Sequence, residues 1–198
     1  MRVVVFDYGA GNLHSLLKAV ALAGVAPVTE TDPVAAADAD VLILPGVGAF
    51  GPAADRLAPG RGPVRRALVA GLPCLGICLG MQLLFDGSDE GAGAGLGLLA
   101  GRVERLAASR LPQIGWNALE EVSEPLVSSA GLTEAYYANS YVCRPAAVGT
   151  VTAWSRHEDD RFPAVVRTAR TLGVQFHPEK SSAAGVRFIA AFLAGARS

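Results

Sequence analysis

Three short apolar runs limit what this chain can fold into. Val3–Phe6 (VVVF), Val41–Leu44 (VLIL) and residues 72–77 (LPCLGI) contain no charged residue and show no alternation of polar with apolar positions. A strand wetted on one face alternates, so such runs predict strands buried on both faces, as in a parallel sheet covered by helices. The intervening segments supply the helices. After a glycine turn at 9–11, residues 12–23 (NLHSLLKAVALA) space their leucines at helical intervals. Residues 27–30 read as a second strand, 34–38 as a short helix, 64–70 as another and 79–85 as the helix that follows the third apolar run. Strand and helix in turn indicate an α/β architecture.

The second half has a different rhythm. Strand-like runs at 101–106, 135–137, 150–154, 164–168 and 172–177 follow one another with few helical segments until 183–193, which predicts an antiparallel extension of the sheet. The stretch 87–97 (GSDEGAGAGLG) has the composition of a mobile loop rather than of a domain linker. With 198 residues, 51% of them hydrophobic, the chain is expected to form one domain with a sizeable core. Lys and Arg number 17 against 18 Asp and Glu, so no electrostatic pull toward nucleic acid or anionic lipid is expected. Three cysteines without a C-x-x-C pair point to a reducing compartment and away from disulfide, zinc or redox chemistry. The first residues, MRVVVFDYG, match neither a signal peptide nor a membrane span, and a cytoplasmic location is expected.

Chemistry gathers at Cys78. In Gly76-Ile-Cys-Leu-Gly80 the chain passes from a buried strand to a helix, and a sharp turn there exposes the central side chain at the carboxyl edge of the sheet. A helix N-terminus favours thiolate and can lower a cysteine pKa from about 8.5 to roughly 3.5–7.5. Taken alone, the motif fits a small buried hydrophobe equally well, which is the reading for Cys74. Val174-Gln-Phe-His-Pro-Glu-Lys180 breaks the tie. His177 ends an apolar strand, Pro178 stops the ladder, and Glu179 can lie on the imidazole's side. A thiolate attacking an amide needs a base that later protonates the leaving amine, and that base needs an orienting acceptor. Pro45-Gly-Val-Gly48 ends the second apolar run, with glycines that let the backbone present N–H groups toward a site or turn them away. The N–H groups of Val47 and Leu79 are the candidate oxyanion donors.

The segments PGVGAF, GICLGMQLLF and VQFHPEKS, in this order, resemble the class I glutamine amidotransferases, whose triad is Cys, His and Glu. DYGAGNLHSL, GLGLLAGRV, LPQIGWN and YANSYV are similar to one branch of that family, the glutaminase subunits of imidazole glycerol phosphate synthases. The resemblance spans essentially the whole chain. It implies a flavodoxin-like, mostly parallel sheet with helices on both faces, and a triad of Cys78, His177 and Glu179. Glutamine would be held by Gly46, Gly48, Gln82, Glu90, Ser140 and Tyr141. Without the family, Glu90 reads as a solvated charge in a glycine loop. The resemblance also implies a partner, a (β/α)₈-barrel cyclase that receives the ammonia, met by Asn12, Trp116, Tyr136 and Lys180. On their own, the two aromatics read as core residues and Lys180 as a surface charge. No cofactor and no metal are implied. Asn139 departs from the pattern, since histidine more often precedes Ser-Tyr in the family. Two other readings share the triad or the fold: a glutaminase serving pyridoxal phosphate synthesis, which would lack QIGWN and GAGN, and a non-catalytic scaffold, which would lack a triad member.

Overall fold

The structure, a computed structural model, describes residues 1–9, 11 and 13–197; the Asn12 assignment lies outside them. Its elements run β1 (Val3–Phe6), α1 (His14–Leu22), β2 (Val28–Glu30), α2 (Pro33–Ala36), β3 (Val41–Leu44), α3 (Phe50–Leu57), α4 (Arg61–Val69), β4 (Cys74–Ile77), α5 (Leu79–Gln82) and β5 (Gly87–Ser88). There follow β6 (Gly101–Arg105), β7 (Gln113–Ala118), α6 (Pro125–Ala130), β8 (Glu134–Asn139), β9 (Tyr141–Pro145), β10 (Val151–His157), β11 (Asp160–Thr168), β12 (Thr171–Val174) and α7 (Ser182–Gly195).

Among the described residues the main sheet has seven strands in the order β10-β11-β12-β4-β3-β1-β2. From β2 to β12 neighbouring strands are parallel, whereas β11 and β10 are antiparallel to their neighbours. The five parallel strands keep the flavodoxin-like order, with the two-stranded antiparallel extension on one side. The apolar runs explain why this sheet is covered on both faces. Val3, Val5, Val41 and Ile43 pack with Leu16, Val20, Phe188 and Ile189 on one side. Val4, Phe6, Leu42 and Leu44 pack with Phe50, Leu57, Val64 and Leu68 on the other. Two small sheets, β5-β6-β9 and β7-β8, stand beside the carboxyl ends of the parallel strands. No helix among the described residues is long and apolar enough to cross a membrane.

Four local expectations are corrected. The helix expected over 79–85 stops at Gln82, because the carbonyls of Leu83, Leu84 and Phe85 accept from the N–H groups of Leu96, Leu98, Leu99 and Gly97 instead of continuing the helix. The strand expected over 172–177 ends at Val174. Gln175 N–H still bonds to the Ala164 carbonyl, but His177 N–H has crossed to Tyr136 at 2.8 Å. Helices α3 and α6 were not expected. Gly51 and Pro52 obscure the buried spacing of Phe50, Ala53, Ala54 and Leu57 in α3. Helix α6 has six residues, started by the Glu124 side chain and ended by Gly131 at φ 66°, too short a period to read. The 87–97 stretch is also held: Asp89 and Gly95 N–H bond to the Val103 and Asp86 carbonyls, and Arg102 pairs with Asp89 at 2.6 Å.

The β4–α5 turn sits against β3 with no room to spare. A Cβ at Gly80 would lie 1.9 Å from the Leu44 carbonyl oxygen, and one at Gly76 would lie 2.7 Å from the Gly80 oxygen. Gly80→Ala is therefore expected to destabilise the fold by about 3 kcal/mol or more, as overpacking against immovable backbone does. Urea unfolding midpoints for this variant and for an alanine at Gly149, which has open space around it, check the assignment.

Candidate active site

Cys78 occupies the turn between β4 and α5 at φ 47° and ψ −103°, a strained conformation for a residue with a side chain. The fold holds it there: Cys78 N–H bonds to the Val174 carbonyl at 2.7 Å, and Gln82 N–H bonds to the Cys78 carbonyl at 3.1 Å. Its side chain lies at the carboxyl end of β4 and is 6% exposed, opening on a cavity of about 230 Å³. Because α5 is a single turn, the helix charge inferred from a 79–85 helix shrinks to the N–H groups of that turn.

His177 lies just beyond β12, the neighbour of β4. Its Nδ1 is 2.7 Å from Glu179 Oε1, and the Cys78 sulfur lies near enough to act on the ring's charge; with Nδ1 taken by Glu179, Nε2 is the nitrogen left for the sulfur. The turn carrying the imidazole is tied to β8 at two points, His177 N–H to the Tyr136 carbonyl and Tyr136 N–H to Ser181 Oγ at 2.9 Å, and is braced within itself by Ser181 Oγ donating to the His177 carbonyl at 2.7 Å. Gly46 supplies the clearance. A Cβ there would lie 2.8 Å from His177 Cε1 and 2.9 Å from Cys78 Cβ, so any side chain would enter the space between these two side chains.

Gly46, Gly48, Leu79, Gln82, Glu90, Ser140 and Tyr141 line the cavity with Cys78, joined by Pro112, Ala138 and Asn139. Glu90 is exposed but not a free surface charge, since its Oε2 accepts from Phe50 N–H at the start of α3, 3.0 Å away. Gln82 Nε2 and Asn139 Nδ2 both donate to the Tyr141 carbonyl, at 3.0 and 3.1 Å. Val47 lines a neighbouring cavity with Glu179 and Lys180. Outside that cavity, Trp116 is 50% exposed and meets Tyr136 edge to face, and Lys180 Nζ lies 5.8 Å from the centre of the Tyr136 ring. The core reading of these aromatics is thus corrected: Trp116 stands on an outward-facing position of the small β7-β8 sheet.

Sequence reasoning gave no role to Ser181, Pro112 or the side chain of Gln175. Pro112 reaches the cavity from a loop clamped by the β10–β11 turn, where Glu158 accepts from Ser109 N–H and Oγ at 2.7 and 2.9 Å. No local signal marks a contact across 49 residues. A larger groove, about 390 Å³, opens at the amino ends of the strands between Pro73, Arg170 and Phe192. It contains no nucleophile. Among the described residues no cluster of three or more His, Cys, Asp or Glu could hold a metal ion.

The electrostatics act on two core thiols and on the histidine. Burial pushes the thiols of Cys74 and Cys143 up and keeps both neutral. Burial on its own would push His177 down, but the Cys78 sulfur and the Glu179 carboxylate outweigh it and raise the imidazole to about 10. A group whose pKa rises on folding stabilises the native state in its protonated form. That contribution is complete below about pH 6.5 and is lost as the pH climbs through about 10. The stability difference between the natural chain and His177→Asn, measured by urea unfolding, is expected to shrink over this window. A constant difference would contradict the pairing.

A family model, glutamine amidotransferase class-I, matches residues 4–195. The chain is 47% identical over 201 residues to the HisH subunit of imidazole glycerol phosphate synthase from Symbiobacterium thermophilum, covering 96% of this chain and 92% of that protein. A subunit of the same name from Thermus thermophilus is 44% identical, with 96% of each chain covered. The Synechococcus elongatus one is 40% identical, with 97% and 92% covered. A crystal structure of a glutamine amidotransferase superposes with TM-score 0.76 over 98% of this chain and 99% of that one, at 23% identity. PurLQS from Thermotoga maritima gives 0.72 at 20% identity, over 98% of each chain. Fold and sequence together place the chain in the class I glutamine amidotransferase family, among the HisH subunits of imidazole glycerol phosphate synthase.

Proposed function

We infer that the chain hydrolyses glutamine to glutamate through a γ-glutamyl thioester on Cys78 and hands the ammonia to a partner. The observation that carries this is the meeting of Cys78, His177 and Glu179 at the head of a partly open cavity of about 230 Å³. In this reading His177 already carries the proton as an imidazolium, and the Cys78 sulfur attacks the side-chain amide carbon as the thiolate. The C–N bond breaks as the imidazolium returns the proton to the departing nitrogen, and water then cleaves the thioester. Glu179 holds the ring and its charge through Nδ1. Val47 and Leu79 N–H groups are the oxyanion donors, and Gly46, Gly48, Gln82, Glu90, Ser140 and Tyr141 hold the substrate. Neither metal nor cofactor enters these steps.

The ammonia acceptor is proposed to be a (β/α)₈-barrel cyclase, seated over Trp116, Tyr136 and Lys180, that uses the nitrogen to form imidazole glycerol phosphate in histidine biosynthesis. The names of the relatives support it, as do two aromatic rings and a cation left beside the site. A cytoplasmic location fits such a biosynthetic enzyme. Cys78→Ala is expected to lower glutamate release by about 10⁴-fold or more, while its complex with the cyclase still forms product from added ammonium salts. Glutamine-dependent product from that variant would refute the assignment.

A further inference from the structure

The last apolar strand delivers more than the histidine to the site. Gln175 is fully buried, with 0% of its surface exposed. Its main-chain N–H is used by the Ala164 carbonyl at 2.9 Å. Its side-chain Nε2 points at the Cys78 sulfur, 3.4 Å away, a normal length for an N–H donor on sulfur. Gln175 does not line the substrate cavity, so it reaches the sulfur from the protein interior, while glutamine and His177 take the other sides. The other end of this amide is costly: Gln175 Oε1 is buried without a hydrogen-bond partner. A leucine or methionine would fill the space and orphan nothing, so packing does not account for an amide here.

We propose that Gln175 is a catalytic residue whose Nε2–H donates to the Cys78 sulfur and stabilises the thiolate from below, in place of the helix charge that a four-residue α5 cannot supply. The inference rests on Cys78 being the nucleophile. A neutral donor suits this position. It favours charge on sulfur without competing with His177 for the proton, and it places no cation where ammonia is released. The same hydrogen bond fixes the sulfur's direction, because the Cys78 main chain is already fastened to Val174, the residue before Gln175.

The test is the pH dependence of Cys78 alkylation by iodoacetamide in the full chain, read by mass spectrometry of the Cys78 peptide. The titratable groups facing or adjoining the sulfur are His177, with Glu179 behind it, Cys143 on β9, and Glu90 and Tyr141 on the cavity wall. All of them stay in place in the variants. Gln175→Met, which keeps the volume and removes the donor, is expected to raise the alkylation midpoint by about one pH unit and to lower kcat for glutamine about tenfold, with KM changed less than about twofold. Gln175→Leu also removes both N–H groups, adds no titratable group and is expected to move the midpoint the same way, so it serves if the methionine variant fails to fold. An unmoved midpoint in a folded variant overturns the proposal even where activity falls, because that pattern is a packing role. Absence of selective Cys78 labelling in the natural chain, seen before any variant is made, sinks the nucleophile assignment and this inference with it.

Discussion

One contact that admits no side chain governs the rest: Gly80 against the Leu44 carbonyl of the neighbouring strand. With α5 pressed that closely onto β3, the chain leaving β4 has only Cys78 in which to reverse, and Cys78 takes the strained backbone that results. The strain has a use. A side chain on a relaxed strand would point into one face of the sheet, among the Val and Leu residues of either core. Turned outward at the strand's end, the sulfur stands beside the next parallel strand, where His177 arrives. Open α/β sheets place ligands at the carboxyl ends of their strands, and here the placement follows from one tight turn between two neighbours.

Polar atoms around the sulfur are numerous for so buried a place. His177, Glu179, Gln175 and Ser181 are all largely covered, and each would be a liability alone. They are tolerable as a chain: the Ser181 hydroxyl links Tyr136 to the His177 carbonyl, Glu179 holds Nδ1, and Gln175 reaches the sulfur. The links run through β8 and β12, two strands in different sheets. The small β7-β8 ribbon, marginal by itself, is therefore fastened beside the main sheet at His177, a member of the proposed triad.

The parallel half was legible because strands buried on both faces cannot hide: VVVF and VLIL have no other reading, and their boundaries match. Cys78, His177 and Glu179 were visible for a related reason, since sharp turns and strand ends are written in adjacent residues. What escaped depended on distance along the chain. Glu90 read as a solvated charge because its partner, Phe50 N–H, is 40 residues away. Trp116 read as core because nothing local says which side of a two-stranded ribbon is left bare. The overlong helix after Cys78 shows the same limit: leucines 83 and 84 continue the helical period, yet their carbonyls are claimed by the N–H groups of Leu96, Leu98 and Leu99. Resemblance to a family filled some of these gaps, but it gave no part to Gln175 or Ser181.

The burial of Cys74 and Cys143 bears on how this protein ages under oxidants. Peroxide attacks a thiolate, and a sulfenic acid is rescued when a second thiolate condenses with it to a disulfide. Cys74 and Cys143 are held neutral in the core, so neither can act as that resolving partner. Damage at Cys78, the proposed nucleophile, would then be repaired by small thiols able to enter the cavity beside it, and a substrate filling that cavity, as proposed for glutamine, would shield the sulfur from both the oxidant and its repair.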